Sequence, residues 1–221
     1  MIRIYAHGLT LPALLLLTSS LSAYDLSEYR DFHLNDGLNS IARQIGVDPK
    51  EADIIHIRPA LIQELTWRSE PDDSVNQVAF GFYDGELFRM IVSYERSRTD
   101  GLTAIDLIEA VSDEYGPATI PSAELSLSTV YDDNESVKVL ALWEDAQWSF
   151  NLVQSKYQSV FFLVALSKER SALAEEAMTE ARRLDREEAP QREMDRQSAE
   201  RELELLELQK SRLENKPSFR P

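Results

Sequence analysis

The sequence predicts an α+β fold: antiparallel sheet built from two successive helix-plus-three-strand units, followed by a long charged C-terminal helical tail. Alternating apolar runs flank an Asp84-Gly85 pair, the signature of a tight hairpin, and two amphipathic helix patterns each precede a set of strand-like segments. From Lys168 to Asn215 there is no glycine and almost no β-branched residue, but an abundance of Glu, Arg, Ala and Leu.

The first 23 residues read as a secretory signal: a lone Arg3, an apolar centre at Leu14 to Leu17, and the small residues Ser19, Ser20, Ser22 and Ala23. Cleavage is expected after Ala23 or Ser22. A spanning helix needs roughly 20 apolar residues, and Pro12 and the serines interrupt a shorter run, so no stable membrane span is expected after cleavage. The expected organisation is thus a signal peptide over 1–23, an acidic body over 24–167, a helical tail over 168–215 broken or kinked at Pro190, and an extended end over 216–221.

Helix formation in the body starts at Leu38, Ile41, Ala42 and Ile45, which share one helical face, with Asp36 as the expected cap and Gly46 as the stop. Asp48-Pro49-Lys50-Glu51 repeats a start signal for a further turn or two. Strands follow at Ile54 to Ile57 and Leu61 to Arg68, where Gln63 falls on the apolar face of Leu61, Leu65 and Trp67 and implies a bulge. The hairpin comes next, with Val78, Phe80 and Phe82 on one strand and Phe88, Met90, Val92 and Tyr94 on the other. A second helix is set by Thr103 and Asp106 in capping-box relation, runs along Ala104, Leu107, Ile108, Val111 and Tyr115, and stops at Gly116-Pro117. Strands are expected at Val137 to Trp143, Trp148 to Val153 and Val160 to Leu166, with an edge strand near Leu125 to Tyr131. A turn at Glu144 to Gln147 would set Trp143 opposite Trp148. Asp36-Gly37-Leu38 and Asp100-Gly101-Leu102 open the two helices alike, which raises the question of an internal repeat.

In the tail, Ala174, Ala177, Ala181 and Leu184, flanked by Leu173 and Met178, form a thin apolar stripe suited to lying along the body. Beyond Pro190, Ala199, Leu203, Leu206, Lys210 and Leu213 follow heptad spacing, with Leu205 and Leu208 beside it. This is about two heptads, short of the three or four of an independent coiled coil.

Charge is uneven. Of the formal net −16, the body from Tyr24 to Ser167 carries 10 Lys and Arg against 25 Asp and Glu, and such a field disfavours nucleic acid. The chain has no cysteine, which excludes disulfides, thiolate metal sites and a cysteine nucleophile. His33 and His56 stand outside any zinc spacing, and no nucleophile elbow, phosphate loop or dinucleotide fingerprint occurs. Asp132 to Glu135 lacks the spacing and central glycine of a calcium hand and reads as a solvated loop. Trp67, Phe80, Phe82, Trp143, Trp148 and Phe150 read as core rather than as a ligand groove. No catalytic, cofactor-binding or metal-binding residue is assigned.

Tyr29-Arg30-Asp31-Phe32, Arg58-Pro59-Ala60-Leu61-Ile62-Gln63-Glu64-Leu65, Gly85-Glu86-Leu87-Phe88-Arg89, Tyr115-Gly116-Pro117-Ala118-Thr119 and Trp143-Glu144-Asp145 together resemble a group of exported bacterial proteins of unknown function. The resemblance spans the chain after the signal and implies a periplasmic or secreted location without an activity. In layout the body is also similar to the small envelope modules of the outer-membrane assembly lipoprotein and β-lactamase-inhibitor type. The function expected is a non-enzymatic envelope module that binds protein partners through its C-terminal helix or acidic body. The alternatives are an exported hydrolase with a site assembled from scattered residues, and a homo-oligomer held by the tail.

Overall fold

The computed structural model describes residues 24–121, 124–127, 135–155, 160–218 and 220. The signal-like segment, and Asp132, Asp133 and Asn134 of the acidic loop, lie outside the described residues. The fold is α+β, with a two-stranded sheet, an eight-stranded antiparallel sheet and a long C-terminal helix.

A short hairpin of β1 (Glu28–Tyr29) and β2 (Phe32–His33) leads into α1 (Leu38–Ile45). Gly46 ends α1 in the left-handed region, as its position implies, but the cap is extended Gly37 rather than Asp36. Asp36 lies one residue too early. Its carbonyl instead accepts from Leu87 N (2.8 Å), and Leu38 N donates to Gly85 O (2.9 Å), so the helix start is stitched to the hairpin turn rather than capped by a side chain. A single 3₁₀ turn, Pro49–Glu51, then forms on the capping box of Asp48 and Glu51.

The sheet contains β3 (Asp53–His56), β4 (Ile62–Arg68), β5 (Val75–Tyr83) and β6 (Glu86–Tyr94) from the first unit. After α2 (Arg96–Thr99) and α3 (Ala104–Tyr115), the second unit adds β7 (Glu124–Leu127), β8 (Glu135–Glu144), β9 (Trp148–Gln154) and β10 (Phe161–Ser167). Strand order is β3-β4-β5-β6-β10-β9-β8-β7. Each unit is therefore a helix followed by a four-strand meander, and the final strands of the two units pair at the centre. The repetition lies in topology. The shared Asp-Gly-Leu tripeptides are not equivalent, because Gly37 has φ −77° and caps α1, whereas Gly101 has φ 83° and precedes the Thr103 cap of α3.

The hairpin of β5 and β6 closes at Tyr83↔Glu86 over Asp84 (φ 48°) and Gly85 (φ 82°), the pair of positive φ values that a primed turn demands. Three local expectations are corrected. Phe88 does not share the face of Met90, because the ladder passes from Gly81↔Arg89 to Phe82↔Leu87 and leaves Phe88 as a bulge residue on the opposite face. The irregularity expected at Gln63 sits across from it in β3, where Ile54↔Gln63 is followed by His56↔Ile62, while β4 pairs with β5 without interruption. Trp143 faces Phe150 rather than Trp148, because the Asp145 carboxylate accepts from Gln147 N (2.7 Å) and Trp148 N (2.8 Å), which moves the turn one residue onward.

One face of the sheet carries the main core, in which Phe80, Phe82, Leu87, Met90, Trp143, Phe150 and Leu152 pack under Ile41 and Ala42 of α1 and Leu107 and Tyr115 of α3. The aromatics predicted as core are core, with Trp67 and Trp148 half-buried at its margin. The hairpin of β1 and β2 is fastened by a bidentate pair from Arg30 to Asp73 (2.6 and 2.7 Å), and Asp73 also accepts from Ser69 Oγ (2.7 Å) and Val75 N (3.0 Å). The other face carries two smaller clusters, one of them completed by the tail.

Candidate protein-binding surface

The tail is one helix, α4 (Lys168–Asn215), about 72 Å long at 1.5 Å per residue. Pro190 lies inside it and does not end it. The proline removes one N–H donor, and the Arg192 guanidinium reaches back over that turn to Asp185, donating to its carboxylate (3.1 Å) and its backbone oxygen (2.9 Å). Past Asn215, Lys216 N donates to Arg212 O and Ser218 N to Asn215 O, so residues 216–218 form a turn rather than the extended end expected.

The first half of α4 is bolted to the body. Lys168 Nζ donates to Glu144 Oε2 (2.6 Å) and to Asp145 O (2.6 Å), fixing the helix start at the turn between β8 and β9. Arg170 pairs with Glu86 and donates to Asn35 Oδ1 (2.8 Å). Ala174, Ala177 and Met178 then lie buried on Ala60, Ile62 and Phe88, with Ile55 and Tyr83 at the edge, and Ala181 is buried one turn further on. Small side chains let the helix approach closely, and Phe88, turned outward by its bulge, fills the gap. Gly81 provides the room: a Cβ there would lie 3.2 Å from the Phe88 ring.

Beneath this contact runs a buried ion pair, Arg89 of β6 to Glu64 of β4 (3.3 Å), with side chains 12% and 4% exposed. Burial pushes the Arg89 guanidinium below its ordinary pKa, and the carboxylates of Glu64 and Glu175 oppose that shift. The last fastening is Arg58 to Glu188 (2.8 Å). Between edge strand β3 and α4 lies a cleft of about 270 Å³ lined by Ile54, Ile57, His56, Leu184, Asp185 and Arg192.

From Gln191 onward every described helical residue is exposed. Met194, Leu203, Leu205, Leu206, Leu208 and Leu213 are each more than half exposed, Leu213 reaching 67%. Helical period places Ala199, Leu203, Leu206, Lys210 and Leu213 on the same face as the docked Ala174, Ala177, Met178 and Ala181. Between the two stretches that face carries Asp185, Glu188, Arg192 and Asp195. The apolar stripe thus stops at Ala181, as the helix leaves the sheet, and resumes at Ala199, about five turns later.

Other residues singled out in the sequence do not converge. His33 sits on the β1–β2 hairpin facing Glu28 (3.2 Å), whereas His56 lines the β3 cleft. Among the described residues no group of three or more His, Asp or Glu side chains is placed to hold a metal ion. No helix among them is long and apolar enough to cross a membrane. The buried Arg89–Glu64 pair is the feature that sequence reasoning missed. Its signal in the sequence is a Glu alternating with Ile62 and an Arg between Phe88 and Met90.

No protein-family model and no curated protein matches the chain. Among solved structures it is similar to a cysteine-rich secretory protein from Staphylococcus aureus, at 10% identity and a TM-score of 0.32, over 62% of this chain and 44% of that one. The chain therefore spans less than half the length of that protein.

Proposed function

We propose that this protein is an exported, non-enzymatic binding module that holds a protein partner on the C-terminal half of α4. The observation that carries the proposal is the resumption of the apolar stripe at Ala199 to Leu213, beyond the body, on leucines left in water. Burying a leucine is worth about 1.5–3 kcal/mol, so a helix displaying several of them is suited to give up that surface on association. The segment sustains its own helix through strong helix formers and pairs such as Arg196 with Glu193 and Glu200, without help from the sheet. Export is supported by the basic, apolar and small-residue parts of the first 23 residues.

The test is affinity recovery from native envelope extract with two baits, the full chain and a chain ending at Ala189, with recovered proteins identified by mass spectrometry. A partner retained only by the longer bait, and lost with Leu203→Asp/Leu206→Asp, is the expected result. Equal recovery by both baits would move the contact to the body and overturn the proposal. Mass measurement of the processed protein tests the export half, with a new N-terminus at Ala23 or Tyr24 expected.

A further inference from the structure

We infer that the projecting seam of α4 selects a different protein that presents an apolar helix flanked by Lys and Arg, and rejects a second copy of this chain. The inference deepens the reading of α4 as the contact surface and rests on it. Its basis is the charge beside the seam. When Leu203 and Lys210 take one core position of the heptad and Ala199, Leu206 and Leu213 the other, the flanking positions fall at Asp195, Glu200, Glu202, Glu207, Gln209 and Glu214. Five of these six are acidic, one is neutral and none is basic; Glu193 extends the row on one side. The basic residues Arg201 and Arg212 lie on the back of the helix, away from the seam, while Arg196, one heptad before Leu203, lies on the seam side and pairs with Glu193 and Glu200 of its own chain.

A second copy meets this pattern with its own. In a parallel pair Asp195 would face Glu200 and Glu202 would face Glu207. In an antiparallel pair each acidic row would face itself. Either way carboxylate meets carboxylate along both edges of the seam, and the body adds its own repulsion, since the chain carries a net −16. A partner with Lys or Arg in the same flanking positions turns each of these contacts attractive. Lys210 stands among the leucines as a cation in the core row, as Arg196 does one heptad before Leu203, and an acidic residue at the facing position of the partner would satisfy Lys210 as a register mark. The short seam makes this selection decisive, because about two heptads bury too little apolar surface to overcome like charges on both sides.

The experiment uses the full chain and its variant Asp195→Lys/Glu200→Lys/Glu202→Lys/Glu207→Lys/Glu214→Lys, each alone and mixed, followed by sedimentation equilibrium. Both should be monomeric alone, since the variant pairs lysine with lysine. The mixture should form a one-to-one complex, with association tighter than either self-association by on the order of tenfold to a hundredfold from reversing the flanking contacts. Leu203→Asp/Leu206→Asp in either copy should abolish the complex, and rising salt should weaken it. Wild-type chain dimerising as tightly as the mixture would make a second copy the occupant and overturn the inference, as would no association in any mixture. A tail-dependent partner from extract that binds the charge-reversed variant undiminished would sink the charge inference alone. Absence of any tail-dependent partner would sink the contact reading instead.

Discussion

Removing the guanidinium of Arg89 tests whether α4 truly seals the sheet. In Arg89→Met the side-chain volume is largely kept, but the Glu64 carboxylate, 4% exposed, loses the cation 3.3 Å away. Breaking a buried pair from one side costs about 3–5 kcal/mol, and the residual 12% exposure of Arg89 places the expected loss near the lower end, about 3 kcal/mol. That corresponds to a fall in Tm of about 6–12 °C for a domain of this size. Urea titration followed by tryptophan fluorescence is the assay, because Trp143 is buried in the core and reports its exposure. Adding Glu64→Gln to Arg89→Met should recover part of the loss at pH 7, because the buried carboxylate that lost the Arg89 cation is then neutral. A loss under about 1 kcal/mol would mean that water reaches the pair, refuting the placement of α4 over it.

Asp73 gives a pH signature. Its carboxyl is held well below the usual aspartate range, chiefly by the Arg30 guanidinium, so it contributes stability above its unfolded pKa and loses it as pH falls through the folded value. Asp73→Asn should cost about 1 kcal/mol at pH 7, with the gap narrowing as pH falls below about 4; thermal melts at pH 7 and about pH 3 that show an equal gap would contradict this. Gly116→Ala forces a side chain onto φ 83° and sets a Cβ about 2.5 Å from the Tyr24 ring, beside the carbonyl that accepts from Trp143 Nε1 (2.8 Å). A destabilisation of about 2 kcal/mol is expected, and a neutral result in the same urea assay would show that the turn can be rebuilt.

Much of the body was legible because its signals are local. Thr103 with Asp106, Asp48 with Glu51, and Asp84-Gly85 each fix backbone geometry within a few residues, and all three form as read. Register errors arose where a single residue shifts a ladder. The Phe88 bulge and the Asp145 turn are each set by packing and hydrogen bonds across strands, which alternation along one strand does not encode. Asp36 failed as a cap for a related reason: the chain spends that position bonding to the distant hairpin, through Leu87 N. The docked stripe of α4 was readable from its alanines, but the surface it packs on was not, since Phe88 joins Ala60 and Ile62 only through the bulge that turns it to their face. The projecting seam and its acidic flanks are pure helical period, and so are fully visible in the sequence.

Amide hydrogen exchange along α4 is the most direct test of the division on which the proposed function depends. The account predicts slow exchange from about Ser171 to Glu188, matching the core strands, because those turns open only when the helix leaves the sheet. From Gln191 to Asn215 exchange should be fast in the isolated chain, as for a solitary helix of marginal stability, and should slow when a partner is added. Uniform slow exchange through Leu213 in the isolated monomer would mean that the leucines are already covered, contradicting the role proposed for them as a surface held open for another protein.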